Sequence, residues 1–181
     1  MAGDRLAAEG AGVAPIARRP LLGFGLALAA IIAVADQASK FWLVHLSGLG
    51  DTVARIEVAP FVDFVYLRNP GISYSMLELK GAAGQLAFTL LAVAVSIGIV
   101  VWLARATSRI AATGLGLVLG GAIGNAIDRP LMGGVVDFVS LHAGGWHWYV
   151  FNVADVAIVV GAALLVYESL LGSRKSATDG R

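Results

Sequence analysis

Residues 124–138 read Gly-Asn-Ala-Ile-Asp-Arg-Pro-Leu-Met-Gly-Gly-Val-Val-Asp-Phe, and residues 151–155 read Phe-Asn-Val-Ala-Asp. Each stretch lies at the end of a long apolar run. A carboxylate at a bilayer edge is costly to desolvate, so it has a partner or a task. Asp128, Asp137 and Asp155 are therefore candidates for chemistry. An apolar setting raises an aspartate's pKa, and a second nearby carboxylate splits the two values further. Such a pair shares one proton near neutrality, so that one member takes a proton from water while the other donates. On residue chemistry alone, Asp128 and Asp137 are equal candidates for the partner of Asp155.

Other polar residues collect at the same span ends, each with a bland reading beside the functional one. Asp36 and Lys40 are four apart, which places them on one helix face as an ion pair fixing the first span. Asn125, Asp128 and Arg129 share a face by the same rule, and a capping network would account for them. Asn152 suits a helix N-cap as well as it suits substrate binding. Asp137 has no cation within four residues and is flanked by apolar groups; its bland reading is a solvated loop aspartate. Asp155 stands three residues into an apolar run, where a solvated face is a poor account.

Composition excludes several classes. The 181 residues are 58% hydrophobic and 14% charged, against about 25% charged in soluble domains, and the mean hydropathy is +0.81. A net charge of +1 offers no footprint for nucleic acid. With no cysteine there is no disulfide, thiol nucleophile or cysteine-held zinc. His45, His142 and His147 are scattered, so no metal site is expected.

The elements that must position these residues are four spans, at about 21–46, 81–104, 110–127 and 153–171. Each is close to the roughly 20 residues that cross a bilayer. Residues 1–20 read as a loose arm, 21–171 as one membrane domain and 172–181 as a polar tail. Arg18-Arg19, the apolar run and Ala33-Val34-Ala35 also imitate a cleavable signal peptide. Three later spans and the Asp36–Lys40 face favour retention instead. Eight of the 13 basic residues (Arg5, Arg18, Arg19, Arg105, Arg109, Arg174, Lys175 and Arg181) fall on one side. The positive-inside rule makes that side, and both termini, cytoplasmic. Phe41, Trp42, Trp146, Trp148 and Tyr149 then mark the outer interface. Residues 55–67, broken by Pro60, read as an outer β-hairpin, with an outer loop before the fourth span. Gly116, Gly120 and Gly124 lie on one face of span three, where small residues let helices approach closely in lipid.

The chain resembles the bacterial lipoprotein signal peptidase (signal peptidase II) family over about residues 21–171. The resemblance rests on Asp36-Gln37-Ala38-Ser39-Lys40, Asn69-Pro70-Gly71-Ile72-Ser73-Tyr74-Ser75, the run from Gly120 through Asn125 to Asp128-Arg129, Val135-Val136-Asp137-Phe138 and Phe151-Asn152-Val153-Ala154-Asp155. Tyr74, where phenylalanine is more usual, is a conservative departure. The resemblance implies an α-helical integral membrane protein with four transmembrane helices and a small extracytoplasmic sheet. It implies an aspartic endopeptidase that removes the signal peptide from prolipoproteins, on the amino side of a diacylglyceryl-modified cysteine. It places the catalytic pair on Asp137 and Asp155. Asn125, Arg129, Asn152 and Asn69 become substrate-binding or dyad-supporting residues, and Asp36, Lys40 and Asp128 a structural polar network. No metal or cofactor is implied, and the partners are lipid-modified prolipoproteins and membrane lipids. A monomer in the inner membrane is expected, with its site near the outer face.

A proton-coupled transporter subunit is the main alternative, since membrane aspartates often carry protons. Transporters place their site near the midplane on broken helices, whereas these acidic residues crowd one face. A non-catalytic assembly factor held by the glycine face gives no reason for aspartates beside asparagines. The orientation is testable by accessibility of inserted tags. Tags at residues 5 and 178 are expected to be cytoplasmic and a tag at residue 57 outside; a residue-57 tag cleaved only from the cytoplasmic side would overturn this.

Overall fold

The structure, a computed structural model, describes residues 19–49, 54–71 and 81–179. The arm at 1–18, residues 72–75 of the Asn69 motif, and Lys80 lie outside the described residues. An uncharged run in lipid must satisfy its backbone internally, so it becomes helix. The four helices are α1 (Arg19–His45), α2 (Gly81–Leu103), α3 (Arg109–Met132) and α4 (Val153–Asp179). Each contains a stretch long and apolar enough to cross a membrane: Leu21–His45, Gly81–Leu103, Arg109–Met132 and Val153–Leu171.

Helix α3 is the hub. Half of its most apolar window is buried inside the protein, against 17% for each of the other three. It packs against α1, α2 and α4, while α2 and α4 are not packed on one another to any comparable degree. The glycines explain why. A Cβ added at Gly116 would lie 2.7 Å from the Gly25 carbonyl of α1, and one at Gly120 2.6 Å from the Ala29 carbonyl. On the opposite side, Gly114 packs against Gly161 of α4 and Gly121 against Ala154. Glycine thus lets two helices approach α3 backbone to backbone, as expected of small-residue faces in lipid.

Helix α3 runs past residue 127, where the third span was expected to end, to Met132. It begins on Ser108, whose side chain accepts from Ala111 N, and closes on Gly133 at φ 70°, whose N–H reaches Arg129 O. The last turn therefore forms despite Pro130, and it carries Asp128 and Arg129 into helical positions.

The expected hairpin is β1 (Ile56–Ala59) and β2 (Val62–Asn69). The segment around Asp137, expected as an outer loop, is instead a strand, β3 (Val135–Ala143), followed by the short β4 (Trp146–His147). The antiparallel order is β1-β2-β3-β4. Strand β3 was not legible because its start is buried at every position, so it lacks alternating polarity. Leu43, Leu49, Val136 and Phe138 form the core that seats the sheet on the end of the bundle. Register pairs Leu67 with Asp137 and Asn69 with Val135, which brings the Asn69 turn beside Asp137.

Close packing at the hub gives a stability test. Gly120→Ala is expected to lower thermal stability in detergent by about 1–3 kcal/mol, the usual cost of overpacking. Gly98→Ala on α2, where an added Cβ meets nothing within 4 Å, should not. Equal melting temperatures for the two variants would contradict this account of α3.

Candidate active site

Two polar networks lie at the sheet end of the bundle. The inner one centres on Lys40, which is buried together with Asp36 and Asp128. Lys40 Nζ lies 2.7 Å from Asp36 Oδ2 and 2.7 Å from Asp128 Oδ2. It also donates to Asn125 Oδ1 at 3.1 Å. Gln37 Nε2 donates to Asp128 Oδ1 at 2.8 Å and to the Gly124 carbonyl at 3.0 Å. Both carboxylates also reach the backbone. Asp36 Oδ1 accepts from Ala154 N at 3.0 Å, and Asp128 Oδ2 from Val136 N at 3.1 Å. Gly124 makes room for this, since a Cβ there would sit 2.5 Å from Asp36 Oδ2.

The outer network holds Asp137 and Asp155. Asn152 is the N-cap of α4: its Oδ1 accepts from Asp155 N at 2.9 Å. Asp155 Oδ2 accepts in return from Asn152 N at 3.3 Å, a reciprocal capping box. The same Asn152 side chain donates through Nδ2 to Asp137 Oδ1 at 2.7 Å, with Asn125 Oδ1 at 3.1 Å and Val136 O at 3.2 Å also in reach. Its capping role and its place at the site are thus one geometry. Asn125 Nδ2 donates to Asp155 Oδ1 at 2.9 Å. Asn69 Nδ2 faces Asp137 Oδ2 at 3.3 Å and the Tyr149 hydroxyl at 3.0 Å, while its Oδ1 accepts from Gly71 N at 3.0 Å.

Asp137 is almost fully buried in β3. Burial, and next the charge of Asp155, push its pKa from 3.8 up to about 7. Asp155 is half-buried in the first turn of α4.

A cavity of 520 Å³ is lined by Asp137, Asp155, Asn69, Asn125, Arg129 and Tyr149. Its wall continues along Val156, Val159 and Val160 of α4, which are exposed on the spanning part of the helix. Asp128 does not line it, because its oxygens are taken by Lys40, Gln37 and Val136 N. Arg129 lines the cavity without bonding to either aspartate. Its Nη1 donates to Gln85 Oε1 at 3.1 Å, its Nη2 to Gly71 O at 3.0 Å, and its guanidinium lies 4.6 Å over the Phe88 ring. Sequence reasoning gives Gln37 and Gln85 no role at the site, and reads Tyr149 only as an interface residue. The one signal available was a glutamine near the end of an apolar span, which names no partner.

Fold and cavity define a multi-pass membrane protein with paired carboxylates at one end of its spans. The sequence model of the signal peptidase (SPase) II family matches residues 28–171. The chain is 46% identical over 157 residues to the lipoprotein signal peptidase of Methylocella silvestris, covering 87% of this chain and 91% of that one. It is 50% identical over 145 residues to that of Methylorubrum extorquens, covering 80% and 84%. A bacterial membrane enzyme solved by the in meso method at 2.3 Å superposes with a TM-score of 0.72 at 27% identity, covering 83% of this chain and 90% of that one. The chain belongs to the signal peptidase II family.

The Lys40 network gives its own expected outcome. Lys40→Met leaves two buried carboxylates without their cation, and removing one partner of a buried pair costs roughly 3–5 kcal/mol. Thermal unfolding in detergent should show a large loss of stability. An unchanged melting temperature would show that this network does not hold the fold.

Proposed function

We propose that this protein is an aspartic endopeptidase that removes the signal peptide from prolipoproteins, cleaving on the amino side of the diacylglyceryl-modified cysteine. The observation that carries the reading is the shared Asn152, which caps Asp155 and donates to Asp137 at the head of a cavity continuing along α4. The similarity to lipoprotein signal peptidases supplies the substrate class. The substrate's acyl chains are stable only in the bilayer, and the scissile bond beside them stays near its surface. A site at the span ends meets that bond without extracting the lipid.

On this reading Asp137, raised to about 7, holds the proton. Asp155 is the ionised base, held by Asn125 and by the Asn152 amide. Asp155 takes a proton from water as the oxygen attacks the carbonyl carbon. Asp137 donates its proton to the carbonyl oxygen, and a proton then passes to the leaving amine as the C–N bond breaks. No covalent intermediate forms. Asn69, Asn152 and Asn125 orient the two carboxylates, while Arg129 holds the turn that carries Asn69. The segment 141–149, with Tyr149 on the cavity wall, limits water access. The protein acts as a monomer of the inner membrane, termini in the cytoplasm and site near the outer face.

Asp137→Asn and Asp155→Asn are expected to lower cleavage of a lipidated precursor by about 10²–10⁴-fold or more, the range for positioned acid/base groups. Both should remain folded in the membrane. Substantial turnover by Asp137→Asn with none by Asp128→Asn would make the partner assignment wrong.

The pH profile should be bell-shaped, with values that belong to the pair. Its alkaline limb is expected near 7, where Asp137 loses its proton as pH rises. The stability effect has the same sign. Between pH 3.8 and about 7 the folded protein keeps a proton that the unfolded chain has released, so stability falls as pH rises through that window. Asp137→Asn removes this slope and should melt higher than the parent at alkaline pH. A rate still climbing well above pH 8 would refute a protonated Asp137 as the acid.

A further inference from the structure

A second cavity, of 780 Å³, shares Arg129 with the first. The chain alternates between them: Asn69 and Gly71 line the first, Arg68 and Pro70 the second. The rest of its wall comes from the first turns of α2, including Gln85, Leu86 and Thr89, and from the last turn of α3. These are the ends of two spans, so the cavity lies at headgroup depth.

Among the described lining residues its charge is one-sided. Arg68 and Arg129 line it, and none of its described lining residues is acidic. Arg68 is exposed, and its guanidinium meets a single backbone group among the described residues, the Met132 carbonyl at 3.3 Å. Below the cavity, Leu86, Leu90, Val93 and Ile97 of α2 are all exposed. Their spacing of four, three and four puts them on one stripe running down the span. A cationic recess at headgroup depth above an apolar stripe matches one kind of molecule, with an anionic head and hydrocarbon chains.

We propose that this cavity binds the phosphate of an anionic phospholipid from the surrounding leaflet, with Arg68 and Arg129 as donors and the α2 stripe as the bed of an acyl chain. Guanidinium forks fit phosphate oxygens in pairs. Attraction of anionic lipid to one surface arginine is only about 1 kcal/mol. Two arginines lining one recess make a site out of that attraction. Occupancy also bears on the first cavity, because Arg129 holds Gly71 and, with Gln85, the turn that carries Asn69. Anionic lipid therefore steadies the Asn69–Asp137 contact. The site itself goes beyond the peptidase reading and does not depend on it.

The test uses the full chain in nanodiscs of phosphatidylcholine with or without phosphatidylglycerol. Lipid retained after detergent extraction is read by native mass spectrometry, and cleavage of a lipidated precursor is measured separately. Phosphatidylglycerol should be retained in preference to phosphatidylcholine and should stimulate cleavage. Arg68→Gln should weaken retention about tenfold, the effect of one charge-assisted hydrogen bond, and remove the stimulation. Arg68→Lys, which keeps the charge, should recover part of both. Arg55→Gln is the control, since Arg55 is an exposed arginine of the same end that does not line the cavity. Equal retention by the Arg68 and Arg55 variants would reduce the effect to diffuse surface attraction and overturn the site. Inorganic phosphate displacing the lipid's effect would overturn a lipid in favour of a free anion. Absence of cleavage in every lipid would sink the peptidase reading, while the retention measurements still decide this one.

Discussion

A single buried ammonium organises this end of the molecule. Lys40 sits between Asp36 and Asp128, and each of those carboxylates uses another oxygen contact to hold a backbone N–H. The two N–H groups belong to Ala154 and Val136, the residues immediately before Asp155 and Asp137. One cation thus ties α1 to α3 and fixes the start of both α4 and β3. Burying charge in a membrane protein is costly, and it is tolerated where the groups satisfy one another. Here the network satisfies itself and, in doing so, sets the origin of two chain segments to within a residue of the carboxylates they present.

The glycines of α3 are the other half of the same constraint. Without Cβ atoms at Gly116, Gly120 and Gly124, α1 lies close enough for Asp36 to reach over Gly124 to the head of α4. Gly114 and Gly121 do the same for α4 on the opposite side. The hub is thereby thin enough for side chains of α1, α3 and α4 to share one polar cluster. In lipid the hydrophobic effect does not pull helices together, so this close packing carries the association.

Much of this was legible in the sequence, and the reasons differ by element. The spans follow from charge-free length. The Asp36–Lys40 pairing follows from helical spacing, and the glycine face from its period. The rest required contacts between distant segments. Asp128 and Asp137 look equivalent as residues, and they separate only because Lys40, Gln37 and Val136 N occupy the oxygens of Asp128. Strand β3 carries no alternation because it is covered on both faces at its start. Asn152 was legible as a cap, and its Oδ1 caps α4; that its Nδ2 also reaches Asp137 emerges only from the fold. Gln85 sits in an apolar helix with no spacing motif, and its link to Arg129 and Pro70 emerges only when α2 meets the Asn69 turn.

The division of charge between the two networks bears on how a pair of aspartates could work here. The cations are held off: Lys40 bonds to Asp36, Asp128 and Asn125, and Arg129 to Gln85 and Gly71. Among the described residues, the side chains that hydrogen-bond Asp137 and Asp155 are neutral amides, from Asn69, Asn125 and Asn152. A cation in contact with Asp137 would stabilise its ionised form and pull its pKa down. Amides fix the position of a carboxyl group with far less bias on its charge. Burial and the neighbouring Asp155 can then dominate, and they do: the charge of Lys40 lowers the pKa of Asp137, yet the net result is a rise to about 7. The scaffold takes the charged residues and the Asp137–Asp155 pair takes the neutral ones, so a proton can remain on Asp137 near neutral pH.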